Sequence, residues 1–194
     1  MSGFTPASTG FCGKLPARGD FVRQGLTPRQ LDIWDQWCQA VIAGSRAVLA
    51  EDWRPAWLAA PVWHFFLAEG ICGDAAAVGV WLPSLDKVGR YFPLSLFAQG
   101  ERAILAQAGG WLDQAQAAGL AAILDDLPPE QLAPRLEQPS AARAVALPAD
   151  AGATKWWTAG GSRVPAQERL FSGLPSAEDF CFMIADATTS SAGG

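Results

Sequence analysis

Residues that bind metals or form cross-links are scarce in this 194-residue sequence, which has one histidine and four cysteines. No two cysteines form a CxxC pair, so the chain has neither a zinc knuckle nor a thioredoxin-type motif. A chain of this length can bury about 70% of its unfolded surface without disulfides. We therefore expect no bound metal, no cofactor and four reduced, mostly buried thiols. These thiols belong to Cys12, Cys38, Cys72 and Cys181.

The sequence also lacks a cluster of basic residues and a long apolar run. The chain has 14 basic and 19 acidic residues, a net charge of −5, and no basic cluster. This balance argues against binding to nucleic acid or to an anionic membrane. The longest unbroken apolar stretch, 75–82, is far shorter than the roughly 20 residues that span a bilayer. Residues 1–6 lack the basic and apolar regions of a signal peptide. We therefore expect a cytoplasmic protein with no membrane insertion.

The pattern of apolar residues predicts alternating strands and helices. Thr27 and Pro28 form a helix start, and apolar residues then recur at helical spacing to Leu49. Pro128 and Pro129 end a second long helix. The predicted strands are 11–15 and 21–23, which form a hairpin, and 62–67, 76–82, 91–98, 155–158 and 180–184. The predicted helices are 28–49, 52–60, 101–124 and 130–137.

This order predicts an α/β (α+β) fold with a mixed, largely antiparallel sheet flanked by helices. A hairpin, a helix, a three-strand meander and closing helices follow one another, as in longin-like and profilin-like domains, and the C-terminal third is less regular. A match of element order does not define a function. We predict a single domain over 10–186, with flexible ends at 1–9 and 187–194.

No set of residues forms a recognisable active site. His64 lies in an apolar strand and is expected to be a core or edge histidine. Lys14 follows a glycine, but Ser8 and Leu15 replace the glycine and the Ser/Thr that a P-loop requires at those positions. We therefore predict no catalytic residue and a protein that is not an enzyme.

Tryptophan is abundant: the chain has nine, against one tyrosine. Seven are predicted to lie in the core, namely Trp34, Trp37, Trp53, Trp57, Trp63, Trp81 and Trp111. Trp156 and Trp157 are adjacent in a predicted strand, so their rings point to opposite faces of the sheet. One ring is expected in the core, and the other is a candidate partner contact.

Several short segments occur in an order that resembles a known family. The most specific are GFCGKLPARGDFVRQGL at 10–26 and PSLDKVGRYFPL at 83–94. They are similar to G-x-x-GKLPxxGDFxxRGL and PSxDxVGRYFPL of the TagF (ImpM) family of type VI secretion-associated proteins. Gln24 and His64 replace arginines of the family pattern. The segments at 34–37, 60–65, 156–157 and 173–175 add to the resemblance, which covers about 10–185.

The resemblance implies a bacterial cytoplasmic accessory protein that represses type VI secretion after translation. It also implies a partner, the forkhead-associated scaffold protein Fha. Charged residues in loops bounded by glycine and proline are placed to make such contacts. Alternatively, Arg90 pins the loops together by pairing with Asp20 or Asp86. The candidate partner-binding residues are Lys14, Arg18, Asp20, Ser84, Asp86, Arg90, Trp156 and Trp157.

Two other interpretations stay open at this point. In the first, Lys14, Asp20, Asp86 and Arg90 form a polar cluster that binds a small ligand or catalyses a reaction. In the second, the chain is a structural subunit of the secretion apparatus. Nothing in the residues indicates an oligomeric state or which face binds a partner.

Overall fold

A computed structural model describes residues 3–185, and its main feature is a seven-stranded sheet with helices on both faces. The strands are β1 (Gly3–Phe4), β2 (Ser8–Gly13), β3 (Val22–Gln24), β4 (Trp63–Leu67), β5 (Ala76–Leu82), β6 (Leu94–Gly100), β7 (Ser140–Ala141), β8 (Ala153–Thr158) and β9 (Gln167–Ser172). The helices are α1 (Pro28–Leu49), α2 (Trp53–Leu58), α3 (Arg102–Leu105), α4 (Gly109–Leu124), α5 (Leu132–Leu136) and α6 (Ala177–Ile184).

The strand order in the large sheet is β3-β2-β6-β5-β4-β8-β9, and every neighbouring pair is antiparallel. Strands β1 and β7 form a separate two-stranded sheet. The predicted hairpin is β2-β3 and the predicted meander is β4-β5-β6. These findings confirm the mixed α+β fold. Among the described helices, none is both long and apolar enough to cross a membrane.

Helix α1 begins where the sequence predicts, because its first turn is capped. The Thr27 hydroxyl accepts from the Gln30 backbone N–H at 3.2 Å, and the Gln30 side chain accepts from the Thr27 N–H at 2.9 Å. This capping box satisfies two backbone donors that a helix start leaves unpaired. Pro28 fills the first helical position, where its missing N–H costs nothing.

The two faces of the sheet carry two separate cores. Helices α1, α2 and α6 cover an aromatic core built around Trp34, and helices α3, α4 and α5 cover an aliphatic core that includes Trp111. All seven tryptophans predicted to be internal are buried. Trp156 is fully buried in the aromatic core, and Trp157 is partly buried on the other face, as adjacent strand residues should be.

The C-terminal region differs from the prediction in two elements. The apolar run 180–184, predicted as a strand, lies in helix α6. Ser176 and Asp179 cap this helix reciprocally, and its buried residues recur at helical spacing. Strand β9 was not predicted, because its charged residues Glu168 and Arg169 obscure the alternation of a strand.

Three further regions differ from the prediction. The predicted helix 101–124 is divided into α3 and α4, because the chain between them pairs with the backbone at Arg143. The third meander strand begins at Leu94, not at Tyr91. The predicted flexible end 1–9 contains strands, since β1 pairs with β7 and β2 begins at Ser8, and Phe4 is buried. The predicted flexible end 187–194 lies outside the described residues.

Candidate functional site

Two loops leave the same end of the large sheet. The GKLP loop (residues 14–21) joins β2 to β3, and the PSLD loop (residues 83–93) joins β5 to β6. Strand β6 lies between β2 and β5, and Cys12 of β2 is paired with Ser95 of β6. The end of β2 therefore meets the start of β6, and the two loops lie side by side.

Asp86 is the hub of these loops. Its Oδ1 accepts from the backbone N–H groups of Val88 at 3.1 Å and Arg90 at 2.9 Å. Its Oδ2 lies 3.0 Å from Lys14 Nζ and accepts from Arg90 Nε at 2.6 Å. The Asp86 side chain has no exposed surface, whereas that of Arg90 is 62% exposed. A buried carboxylate therefore joins the start of one loop to the turn of the other.

The surroundings of Asp86 favour its charged form. Burial alone would raise the pKa of this carboxyl group. Hydrogen bonds from the Arg90 backbone and from the Lys14 and Arg90 side chains outweigh burial, and they hold the pKa well below its ordinary value. Asp86 therefore remains an anion across the physiological pH range. Both of its oxygens are occupied by donors of the chain itself.

Further hydrogen bonds tie the two loops together. Arg90 Nη2 donates to the Gly19 carbonyl at 2.9 Å, and the Lys87 N–H donates to the Arg18 carbonyl at 2.9 Å. The Ser84 hydroxyl donates to the Lys14 carbonyl at 2.8 Å. These three bonds join the loops at three different points, so the loops form one connected unit.

Ser84 also links this unit to the aromatic core. Its carbonyl oxygen accepts from Trp57 Nε1 at 3.1 Å, and its side chain is buried. Trp57 stacks on Trp53 of the same helix, with ring centroids 5.2 Å apart. This link could not be predicted from the sequence, because residue spacing does not show which carbonyl group accepts the hydrogen bond of an indole N–H.

The structure brings together five of the eight candidate residues: Lys14, Arg18, Ser84, Asp86 and Arg90. The predicted pairing of Arg90 with Asp86 is confirmed, through one guanidinium nitrogen. This pair lies within the PSLD loop, and Arg90 reaches the GKLP loop through the Gly19 carbonyl. The alternative partner, Asp20, is exposed and has neither an ion pair nor a side-chain hydrogen bond within residues 3–185. Arg18 makes only a loose ion pair, 3.6 Å from Glu130.

The two remaining candidates lie elsewhere in the sheet. Trp156 and Trp157 belong to β8, which is separated from β6 by β5 and β4. Trp156 has no exposed surface. Trp157 packs edge-to-face on His64, with ring centroids 5.5 Å apart. Of the pair, Trp157 is therefore the ring that another molecule can reach.

The exposed tips of the two loops are adjacent and mixed in character. Val88 is 71% exposed at the tip of the PSLD loop, and Phe21 is 37% exposed at the end of the GKLP loop. An open depression of about 410 Å³ at Phe21 is lined by Arg18, Asp20 and Arg23. The tips thus offer an apolar contact next to charges of both signs.

An apolar groove that was not predicted from the sequence adjoins the loops. Its volume is about 300 Å³, and Pro16 and Leu85 of the two loops line one side. Its rim carries Leu58, 56% exposed, and Leu124, 73% exposed. The available signal was the helical spacing of apolar residues at the end of α4, which continues to Leu124 although that position faces solvent.

Burial shifts the pKa values of His64 and Cys72 toward their neutral forms. Burial lowers the pKa of His64, although its hydrogen bond to Gln116 opposes this shift. Burial raises the pKa of the Cys72 thiol to about 11, so little thiolate forms at neutral pH. Within residues 3–185, no three His, Cys, Asp or Glu side chains are grouped to hold a metal ion.

Sequence and structure comparisons define the class of this α+β domain with two ion-paired loops. Residues 10–138 match the family described as "TagF N-terminal domain, Type VI secretion system-associated". The crystal structure of PA0076 from Pseudomonas aeruginosa PAO1 is similar, with 30% sequence identity and a TM-score of 0.77. The similarity covers 92% of this chain and 94% of that chain. No curated protein matches the chain. The chain belongs to the TagF N-terminal domain family, and the family resemblance of the sequence is confirmed.

Proposed function

We propose that this chain is a cytoplasmic, non-enzymatic accessory protein of a bacterial type VI secretion system. We further propose that it represses secretion after translation by binding the scaffold protein Fha. Membership of the TagF family supports the link to type VI secretion. Repression and the Fha partner are what the family resemblance implies.

The observation that carries this proposal is the state of Asp86. Its buried carboxylate is occupied by Lys14, by the Arg90 side chain and by two backbone N–H groups. A general base or a ligand-binding carboxylate needs a free oxygen directed at its target. Asp86 instead fixes the shape of the two loops, and a fixed surface loses little entropy when a protein partner binds.

The same observation weakens the interpretation of the loops as an enzymatic or small-ligand site. Lys14 is committed to Asp86, and Asp20 is not part of the cluster. What the loops leave exposed is their tips. We therefore assign the partner contact to Val88, Phe21 and the neighbouring apolar groove around Leu124.

The test is a titration of purified Fha with the purified chain by isothermal titration calorimetry. We expect micromolar or tighter binding. Val88→Asp should weaken it at least about tenfold, the scale of an interface anchor. Val48→Asp is the matched control, because Val48 is 67% exposed on helix α1, outside the loops.

Three outcomes contradict the proposal. If Fha does not bind at micromolar concentration, it is not the partner of this chain. If Val88→Asp and Val48→Asp lose binding equally, the loop tips are not the surface that binds Fha. A chain that co-purifies in stoichiometric amounts with the assembled secretion machine is a structural subunit and not a regulator.

A further inference from the structure

Strand β9 forms one edge of the large sheet. Within residues 3–185, its only strand partner is β8, which pairs along all six of its residues. Leu170 lies in the middle of β9 and is 64% exposed. An edge strand of this kind presents unpaired backbone groups to any strand that approaches it.

The direction of these backbone groups follows from the pairing of β8. The Ala68 N–H donates to the Ala153 carbonyl at 3.1 Å, so the backbone of Ala153 is directed at β4. The Gly173 N–H donates to the Gly152 carbonyl at 2.8 Å. In an antiparallel pair, successive residues direct their backbone N–H and C=O groups alternately to one side of the strand and to the other. Both bonds therefore give the same assignment for β9. The backbone groups of Gln167, Arg169 and Phe171 are directed at β8, and those of Glu168, Leu170 and Ser172 are directed outward.

We propose that two copies of this chain dimerise by antiparallel pairing of their β9 strands, with Leu170 on the two-fold axis. A two-fold contact closes on itself and needs one self-complementary surface. The half of β9 before Leu170 carries both charges, Glu168 and Arg169, and the half after it is uncharged. Antiparallel pairing therefore places the charged half of one copy opposite the uncharged half of the other.

This register opposes no like charges. Glu168, whose carboxylate pairs with Lys155 of its own chain at 2.9 Å, faces Ser172 of the second copy. Arg169 faces Phe171 of the second copy. The two Leu170 side chains, exposed in the monomer, contact each other at the axis and become buried. Two neighbouring registers also keep the outward groups paired. One has Arg169 on the axis and opposes two arginines directly, which is unfavourable. The other has Phe171 on the axis and pairs only residues 170–172 of each β9 strand.

The first experiment measures the mass of the full chain by sedimentation equilibrium over a dilution series. We expect a reversible equilibrium between monomer and dimer. Leu170→Lys should abolish the dimer without unfolding the chain, because this side chain is exposed in the monomer. Val48→Lys, an equally exposed apolar position on α1, should leave the dimer intact. A chain that is monomeric at every concentration overturns the proposal, as does a dimer that survives Leu170→Lys.

The second experiment tests the register by mild oxidation of cysteine variants. Leu170→Cys should form a disulfide-linked dimer, because residue 170 faces itself across the axis. Glu168→Cys and Ser172→Cys should not cross-link alone but should do so when mixed. The four native cysteines are buried and free, so the introduced thiol is the reactive one. Equal cross-linking of all three single variants means random collision and overturns the assigned interface.

Discussion

Arg90 Nε lies 2.6 Å from a carboxylate oxygen of Asp86, so a guanidinium at the surface is paired with a carboxylate that has no exposed surface. A second nitrogen of the same guanidinium donates to the Gly19 carbonyl of the facing loop. Arg90 therefore connects the interior of the PSLD loop, its surface and the GKLP loop. The shape of the proposed binding surface depends on this pair.

Asp86→Asn should lower the melting temperature by several degrees at pH 7. The amide removes the negative charge that Lys14 and Arg90 share, and it leaves the Lys14 ammonium, 17% exposed, without a counter-ion. Differential scanning calorimetry measures the change. Asp20→Asn is the control, since Asp20 is exposed and should shift the melting temperature by less than a degree or so. Equal shifts would contradict the role of Asp86.

The same pair predicts how acid affects stability. The pKa of Asp86 in the folded chain lies below its ordinary value of 3.8, so in acid the unfolded chain binds a proton more readily. The stabilisation is complete above the ordinary pKa and is lost as the pH falls toward the folded value. Below about pH 5, the melting temperature of the wild type should therefore fall more steeply than that of Asp86→Asn. Parallel curves would contradict this prediction.

Arg90→Lys should loosen the loops without unfolding the domain. Lysine keeps the charge but cannot reach both Asp86 and Gly19, because it lacks the planar fork of arginine. Amide hydrogen exchange should accelerate at 17–21 and 84–92 and remain unchanged in α1. Arg18→Lys is the control, since Arg18 makes only one loose ion pair. Unchanged exchange in Arg90→Lys would show that the loops are held by other contacts.

Trp34→Ala should destabilise the chain by roughly 3–5 kcal/mol, the range for a buried aromatic residue. The Trp34 ring lies 4.7 Å from Trp37 and 4.9 Å from Phe97 between centroids, and its Nε1 donates to the Ser95 hydroxyl at 3.0 Å. Urea unfolding measures the loss. Trp34→Phe should lose less, because it keeps most of the ring contacts. A midpoint near that of the wild type would contradict the central place of Trp34.

Gly13→Ala should destabilise the chain by about 1–3 kcal/mol, whereas Gly19→Ala should be nearly neutral. Gly13 has a φ of +143°, and a Cβ there would lie 2.0 Å from the Pro93 carbonyl oxygen. A Cβ on Gly19 would meet no heavy atom within 4 Å. Gly13 is the last residue of β2 and Gly19 lies in the GKLP loop that follows it, so the comparison isolates the close approach of the two loops. Chemical unfolding of the two variants distinguishes them.

The sequence could predict most of the sheet, because local signals and tertiary structure agree there. Strand β5 is apolar at nearly every position, as a strand covered on both faces should be, and Thr27 marks the start of α1. Helix α6 could not be distinguished from a strand, since a short apolar run has no period that separates the two. Its capping pair, Ser176 and Asp179, was the overlooked signal.

The candidate site was predictable in composition but not in arrangement. The family segments contain Lys14, Asp86 and Arg90, and the charges suggest ion pairs. Which carboxylate is buried depends on backbone geometry that spacing does not encode, so Asp20 and Asp86 were equal candidates. The apolar groove requires two distant segments, the ends of α2 and α4, to meet in space.

The family match ends at residue 138, but the sheet continues through β8 and β9. A fragment truncated at that boundary would lose the strand beside β4 and the Trp156 ring that packs on Trp37, 5.4 Å away between centroids. It would expose the unpaired edge of β4 and part of the aromatic core, and this combination promotes aggregation. Expression of this protein in pieces should therefore respect the extent of the sheet and not that of the family profile.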